Sequence, residues 1–316
     1  MNPFHMLIPE ASSLAPRIDA LFWVMVTLCG LVAAGVFGAM MFFCVRYHRG
    51  HRADRTGWQA GSLGLELTWT LVPFALFIAV FVWSLFLFAD ARTPPADADT
   101  LYVVAKQWMW KVQHPTGQRE INTLHVPLGH AVRLTMTSQD VIHSFFIPAF
   151  RVKQDVLPGR YTQLWFTPTR LGTFPLTCAE YCGLDHSKMG GAVIVLSPAE
   201  FARWLKLHGT DLSLAARGAG LFRRSGCGGC HGSNSTVHAP ALEGVYGRPV
   251  HLADGATVMA DERYLHDSIT LPNGQVVAGY APVMPSFAGQ LSEEDLLAII
   301  AYLKSISVPS NGGEPP

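Results

Sequence analysis

Two short stretches hold most of the residues able to bind a metal or a prosthetic group. The first is Cys227-Gly-Gly-Cys230-His231. In a C-x-x-C-H sequence two thiols can add across the vinyl groups of a haem, and the adjacent imidazole can ligate its iron. A thioredoxin-like redox pair would need a βαβ setting, and none surrounds this one. An electron-transferring iron takes Met or His as its sixth ligand, and Met259, Met284, His238, His251 and His266 are the candidates. The second stretch is Cys178-Ala-Glu180-Tyr-Cys182-Gly-Leu-Asp-His186-Ser-Lys-Met189. It places two thiols, an imidazole and a thioether within twelve residues. Soft sulfur ligands with imidazole favour copper. Cysteines four apart on a loop can turn both sulfurs inward and bridge two ions. A single imidazole from the loop serves one ion, so a second must come from another strand, and His143 in DVIHSFFIPAF is the donor in view. Structural zinc competes with this assignment, but zinc sites seldom include Met. A Cys178–Cys182 disulfide also competes, and His186 and Met189 beside the pair argue against it. Cys29 and Cys44 lie in an apolar run and read as small packing residues.

The elements that position these groups follow from composition and period. Charged residues are 15% of the 316, against about 25% in an ordinary soluble chain. Lys and Arg balance Asp and Glu at 23 each. This leaves no basic excess of the kind a nucleic-acid binder shows. The hydrophobic share, 49%, excludes a disordered chain. The missing charge sits at the front, where residues 20–45 and 67–89 contain none. As a helix the first run is about 39 Å long, enough to cross a hydrocarbon core. It is too long for the apolar region of a cleaved signal peptide and lacks an early basic segment. Two such runs predict a transmembrane helical hairpin. Its loop carries Arg46, Arg49, Arg52 and Arg55 against Asp54, which places the loop in the cytoplasm and everything after residue 90 outside it. Glu66, at the cytoplasmic border of the second span, is either a functional carboxylate or an interfacial one.

Beyond residue 100 the pattern changes to LYVVAKQWMWKVQ, AVRLTMTS, YTQLWFTP and GGAVIVLS, which read as strands of a β-sandwich. SPAEFARWLKLHG predicts a short linking helix. LSLAARGAGLFRRS and SEEDLLAIIAYLKSI have the apolar spacing of amphipathic helices. In the second, Ser292 followed by Asp295 makes a capping-box-like start. The tail SNGGEPP is expected to be disordered.

The string C-x-E-x-C-x3-H-x2-M, with the upstream D-V-x-H-S-F and L-P-G-R strings, resembles the binuclear CuA site of cytochrome c oxidase subunit II. The similarity extends over about residues 60–197 and includes Gln107–Trp110, QWMW, where Met109 stands in place of the family's usual Tyr. The resemblance implies a cupredoxin-like fold. It implies His143 and Met189 on one copper, His186 and the Glu180 backbone carbonyl on the other, and Cys178 and Cys182 bridging both. It further implies Mg²⁺ shared with subunit I through the Glu180 side chain, Trp108 at the point of electron entry, and Glu66 near the mouth of a proton pathway in subunit I. APALEGVYGR and MPSFAGQLSEEDLLAIIAYLKSI resemble the small class I cytochromes c. That likeness implies Met284 as the distal haem ligand and Pro240 as the carbonyl donor that orients His231.

A CuA subunit fused to a cytochrome c domain resembles the caa3-type bacterial oxidases. Quinol oxidase subunits share the fold without the copper ligands, which are all present here. The implied activity is that of a proton-translocating cytochrome c oxidase. Electrons would pass from a soluble cytochrome c or a membrane-bound donor to haem c, then to CuA. The next acceptor is haem a of subunit I, the chain that also holds haem a3 and CuB. Subunit III is a further implied partner, and the bacterial inner membrane the location, with both exported domains on the periplasmic side. A CuA-type nitric oxide reductase subunit and a non-enzymatic membrane-anchored electron or copper carrier are the alternatives. The expected division is an N-terminal segment at 1–19, the membrane hairpin at 20–90 and the CuA domain at 91–197. A linker at 198–212, the cytochrome c domain at 213–308 and the tail at 309–316 complete it. Formal charge is +3 over 91–197 and −3 over 198–316, a complementarity expected to help the two exported units face one another.

Overall fold

The computed structural model describes residues 8–50, 52, 62–209, 212–232, 235 and 237–307. Asp54 and Arg55 of the expected cytoplasmic loop, and the expected disordered tail, lie outside these. Helix α1 runs over Ala15–Arg46 and α2 over Leu63–Arg92. Both are longer than the uncharged runs that announce them, because the charges beyond the runs find partners. Arg17 meets Asp90 at 2.5 Å, and Asp19 meets Arg151 at 2.8 Å. Trp165 Nε1 donates to the Asp90 carbonyl, and Leu14 and Ala15 are buried. The helix ends are therefore fastened to the sandwich. Further along, large apolar side chains stand open on both helices, Phe37 at 62% and Phe77 at 67%. These are not core helices of a soluble domain. Lipid or a partner must cover them, and together they form a membrane anchor.

The sandwich has two five-stranded sheets. One has the order β3-β2-β1-β5-β8, from Arg119–Ile121, Met109–Gln113, Asp99–Lys106, Val132–Ser138 and Thr162–Phe166. The other is β4-β10-β9-β6-β7, from Thr123–Pro127, Gly190–Leu196, Gly172–Cys178, His143–Ile147 and Val152–Val156. Between them lie Val103, Trp110, Leu134, Phe145, Phe150 and Phe166, all fully buried. The stretch 101–113, which reads as one strand, is two: β1 and β2 form an antiparallel hairpin that turns at Gln107–Trp108, with Lys106 opposite Met109. Strands β6, β7 and β9 are not among the expected ones: β6 is buried along almost its whole length, β7 offers only two apolar residues, and β9 alternates but carries Pro175 in its middle. The first and last of them carry His143 and Cys178.

The linking helix α3, Pro198–Leu207, starts with a capping box between Ser197 and Glu200. Its Trp204 stacks on His125 at 4.4 Å. Beneath it, buried Glu120 accepts from His114 at 2.8 Å and from His125 at 2.5 Å. Burial would raise the Glu120 carboxyl, but these two bonds hold it below the ordinary carboxylate range.

The C-terminal unit contains α4 (Leu214–Arg224), the short α5 (Gly228–His231), α6 (Glu262–Thr270) and α7 (Glu293–Ser305). It is not purely helical: β11 (Pro249–His251) and β12 (Thr257–Met259) pair as a small antiparallel ribbon. Ser292 caps α7 by accepting from the Asp295 amide, as its sequence predicts. Helices α4 and α7 cross where Gly218 meets the Ala298 carbonyl, and any Cβ there would collide with that backbone. The opposite face of the crossing rests on the sandwich. Leu214, Leu297 and Ala298 join Tyr102 and Val104 of β1 in one buried cluster. Strand β1 is thus buried on both faces, Val103 toward the sandwich core and Val104 toward the helices, which explains the unbroken apolar run LYVVA.

Candidate functional site

His143 opens β6, and Cys178 closes the neighbouring strand β9; the two strands are paired, with Phe145 opposite Cys178. The loop after β9 then turns back through Cys182, His186 and Met189 into β10. Sheet pairing therefore fixes two of the groups, and one short loop brings the rest to them. The Cys178 and Cys182 sulfurs are 3.9 Å apart, too far for a disulfide and close enough to share ions. Both cysteines are free. Cys182 Sγ lies 3.4 Å from His186 Nδ1 and 3.7 Å from Met189 Sδ. Cys178 Sγ lies 3.2 Å from the Glu180 carbonyl oxygen. Ligand atoms of His143, Cys178 and Cys182 all fall within 4.8 Å of one another. Every one of the six groups expected from the sequence is brought together, and Cys178, Cys182, His143 and Met189 are buried.

The fit to a metal centre rests on His143. Its Nε2 donates to Asp140 Oδ1 at 2.8 Å. Its Nδ1 is buried with no hydrogen-bond partner. An imidazole fixed through one nitrogen, with the other bare and beside two thiols, is arranged as a metal ligand. Electrostatics agree. Burial opposes ionisation of Cys178, but His143 and the Ser144 and Glu180 backbone outweigh it and lower the thiol. Burial and the nearby Cys178 charge push Cys182 up. Two adjacent thiolates need a cation to persist together.

Asp140 and Gln107 lie within the motif strings without being ligands, yet both support the site. Asp140 Oδ2 accepts from the Gln107 amide at 2.7 Å. Gln107 Nε2 and Trp108 Nε1 both donate to the Cys182 carbonyl, at 2.8 and 3.2 Å. Gly183, at φ +116°, lets this loop pass under the Trp108 ring. Glu180, Tyr181 and Leu184 point outward, Leu184 with 92% of its surface exposed.

The second site is a cavity of about 770 Å³ in the C-terminal unit. Phe222, Cys227, Cys230, His231, Pro240 and Met284 contribute to its wall. The volume suits a large organic ligand, and its wall holds the two thiols, the imidazole and the thioether that covalent haem requires. His231 Nδ1 donates to the Pro240 carbonyl at 2.8 Å, which leaves Nε2 as the ring's free lone pair. Of the alternative sixth ligands, His238 and His251 also line the cavity, His238 stacked on Tyr280. Met259 does not line it and is 55% exposed on β12. His266 is buried against Tyr161, Asp267 and Glu293. Glu66 sits in the first turn of α2, following the Ser62 cap.

A thiolate-rich centre in a sandwich, joined to a cysteine-lined haem cavity and a membrane anchor, defines a membrane-bound electron-transfer protein. The comparisons narrow this class. Residues 102–196 match the family described as cytochrome C oxidase subunit II, periplasmic domain, and residues 215–307 match cytochrome c. The chain is 30% identical to cytochrome c oxidase subunit 2 of Alkalihalophilus pseudofirmus over 301 residues, 90% of this chain and 85% of that one. It is 30% identical to the Thermostichus vulcanus protein of the same name over 63% of this chain and 78% of that one. The periplasmic domain of subunit II from Bradyrhizobium japonicum is 32% identical over 37% of this chain and 96% of that one, with a TM-score of 0.36. The chain belongs to the cytochrome c oxidase subunit 2 family, and it carries a C-terminal cytochrome c domain.

Proposed function

We propose that this chain is the electron-input subunit of a caa3-type haem–copper oxidase. One observation carries the reading: His143, Cys178, Glu180, Cys182, His186 and Met189 converge on one site in a chain that also holds a cavity lined by Cys227, Cys230, His231 and Met284. Haem c and the binuclear copper each supply one-electron chemistry when bound. The chain's residues do the rest. Cys227 and Cys230 would tether the haem, His231, oriented by Pro240, would ligate its iron, and Met284 would supply the sixth ligand. Cys178 and Cys182 would be shared between two coppers, with His143 and Met189 holding one and His186 and the Glu180 carbonyl the other. Ligands held by sheet pairing and by hydrogen bonds move little between redox states, which favours fast transfer. Trp108 receives electrons at the edge of this site. Oxygen is reduced in the partner, subunit I.

The same reading assigns the finer features. The Glu180 side chain, exposed beside Tyr181 and Leu184, faces subunit I and holds Mg²⁺ with it. Glu66 stands near a proton entrance, and subunit III and a cytochrome c-like donor complete the assembly. The hairpin crosses a bacterial inner membrane twice, with both folded units on the periplasmic side. The reading divides the chain at 20–90, 91–197, 198–212 and 213–308; α1 and α2 run a few residues past the first of these ranges, at Ala15 and Arg92. The test is purification of the native complex with its metal and haem content. Covalent haem c, a mixed-valence copper EPR signal and a co-purifying multi-helix haem subunit are expected. A chain that purifies alone and exchanges its metal freely would instead be a carrier.

A further inference from the structure

The seat of the cytochrome domain and the edge of the copper site meet at two consecutive residues, Gln139 and Asp140. On one side is Glu294, in the first turn of α7. Its Oε1 accepts from Lys111 Nζ at 2.6 Å, and its Oε2 accepts from Gln139 Nε2 at 2.7 Å. Lys111 Nζ also donates to Gln139 Oε1 at 3.3 Å, which closes a triangle across the domain boundary. The Glu294 side chain is 17% exposed and that of Lys111 26%. Burial would raise the Glu294 carboxyl, but Lys111 holds it low, so the triangle is charged and sheltered. The Gln139 amide donates to the Ala105 carbonyl at 2.9 Å and pins the turn to β1. On the other side is Asp140, which fixes both His143 Nε2 and the Gln107 amide that precedes Trp108.

A lock between domains needs only Lys111 and Glu294. The third member is different, because the residue bonded to it in sequence is the one that aims a copper ligand. We propose that Glu294 and Gln139 are positioning residues: docking of the cytochrome domain sets the Gln139–Asp140 turn, and through it the orientation of His143 and the Gln107–Trp108 loop. The two domains are then not merely neighbours. The copper-binding edge takes its final shape from a carboxylate of the other domain. This rests on the functional reading above.

The test compares Glu294→Gln and Gln139→Ala with Arg263→Ala, which removes an exposed charge on α6, all in the purified complex. Both interface variants should keep full haem and copper content. They should alter the hyperfine pattern of the copper EPR signal, raise amide hydrogen exchange across residues 139–143 several-fold, and slow haem-to-copper transfer several-fold. Arg263→Ala should change none of these. A wild-type hyperfine pattern with wild-type exchange in both interface variants overturns the inference, even if transfer slows, because docking then sets distance alone. Should Glu294→Gln fail to assemble, Gln139→Ala decides. A wild-type complex with no mixed-valence copper signal would fail the functional reading instead, and the exchange measurement would still decide the positioning.

Discussion

The sandwich site and the cytochrome cavity hold their groups in opposite ways. In the sandwich, His143 and Cys178 sit on paired strands, and Cys182 and Met189 are buried beside them. Sheet pairing and one short loop set the positions of the groups. In the cytochrome domain the ligands line a hollow of about 770 Å³. Without the group that fills it, the apolar lining of such a hollow stays in contact with water, and the burial that would stabilise this small domain is incomplete. A small inorganic centre can be prepared by side-chain packing alone. A porphyrin must be part of the core that receives it.

The sharpest way to break this contrast is to remove the haem tether. Cys227→Ser with Cys230→Ser should leave residues 213–307 unfolded, read as loss of helical circular dichroism and rapid proteolysis, while the sandwich keeps its copper and a mixed-valence signal whose hyperfine pattern is altered as in Glu294→Gln. A stable, protease-resistant cytochrome domain without haem would end the comparison. Next in size is Cys182→Ser. It should abolish the mixed-valence EPR signal and leave the haem spectrum and the sandwich fold intact, and a retained signal would remove the bridging assignment. Met284→Ala should be milder, with loss of the Met-ligated low-spin spectrum but retention of covalent haem. An unchanged spectrum would move the ligand to His238 or His251.

Acid should separate the regions less strongly. Glu262 in the cytochrome domain is buried, which alone would raise its carboxyl, yet Lys304 at 2.7 Å and the Tyr246 hydroxyl hold it low. A carboxyl depressed on folding adds stability above its unfolded value of about 4.3, and that stability is lost as pH falls through the folded value. Glu262→Gln should therefore flatten the acid limb of cytochrome-domain unfolding, followed by Soret absorbance. An unchanged acid limb would mean that another carboxyl governs it. The smallest effect is expected from salt. Opposite formal charges suggested electrostatic facing of the two units, and among the described residues Lys111–Glu294 is the ion pair that crosses between them. The apolar cluster of Tyr102, Val104, Leu214, Leu297 and Ala298, the Gln139–Glu294 hydrogen bond and the Tyr161–His266 ring contact join it. Raised ionic strength should change haem-to-copper transfer by less than about twofold, because sheltered pairs are screened weakly. A steep salt dependence would restore the longer-range charges to the leading role.

What was legible in the sequence was what is local. The spacing of Cys178, Cys182, His186 and Met189 lies within one loop, and Cys227 to His231 within one turn. Helices α4 and α7 declared themselves by their apolar period. His143 required a motif, because β6 is five residues with no alternation, and β9 contains Pro175 in its middle. The second layer was hidden for a different reason. Asp140 meets Gln107 across 33 residues, and Glu294 meets Lys111 across 183. His114, Glu120 and His125 come together only because β2, β3 and β4 fold into adjacent positions. Nothing in the period of a strand records such meetings. The run LYVVA did carry a sign of its second buried face, but an unbroken apolar run of that length also fits a strand or a helix inside one core.

That doubly buried strand has a consequence for how the molecule is made. The sandwich precedes the cytochrome domain in the chain, so it leaves the export machinery first. Until haem is attached and α4 and α7 have folded, Tyr102 and Val104 present an uncovered apolar strip on β1. A chain whose haem attachment stalls is thus left with a sticky surface on its sandwich. Quality control at the membrane would have a mark by which to recognise the immature subunit.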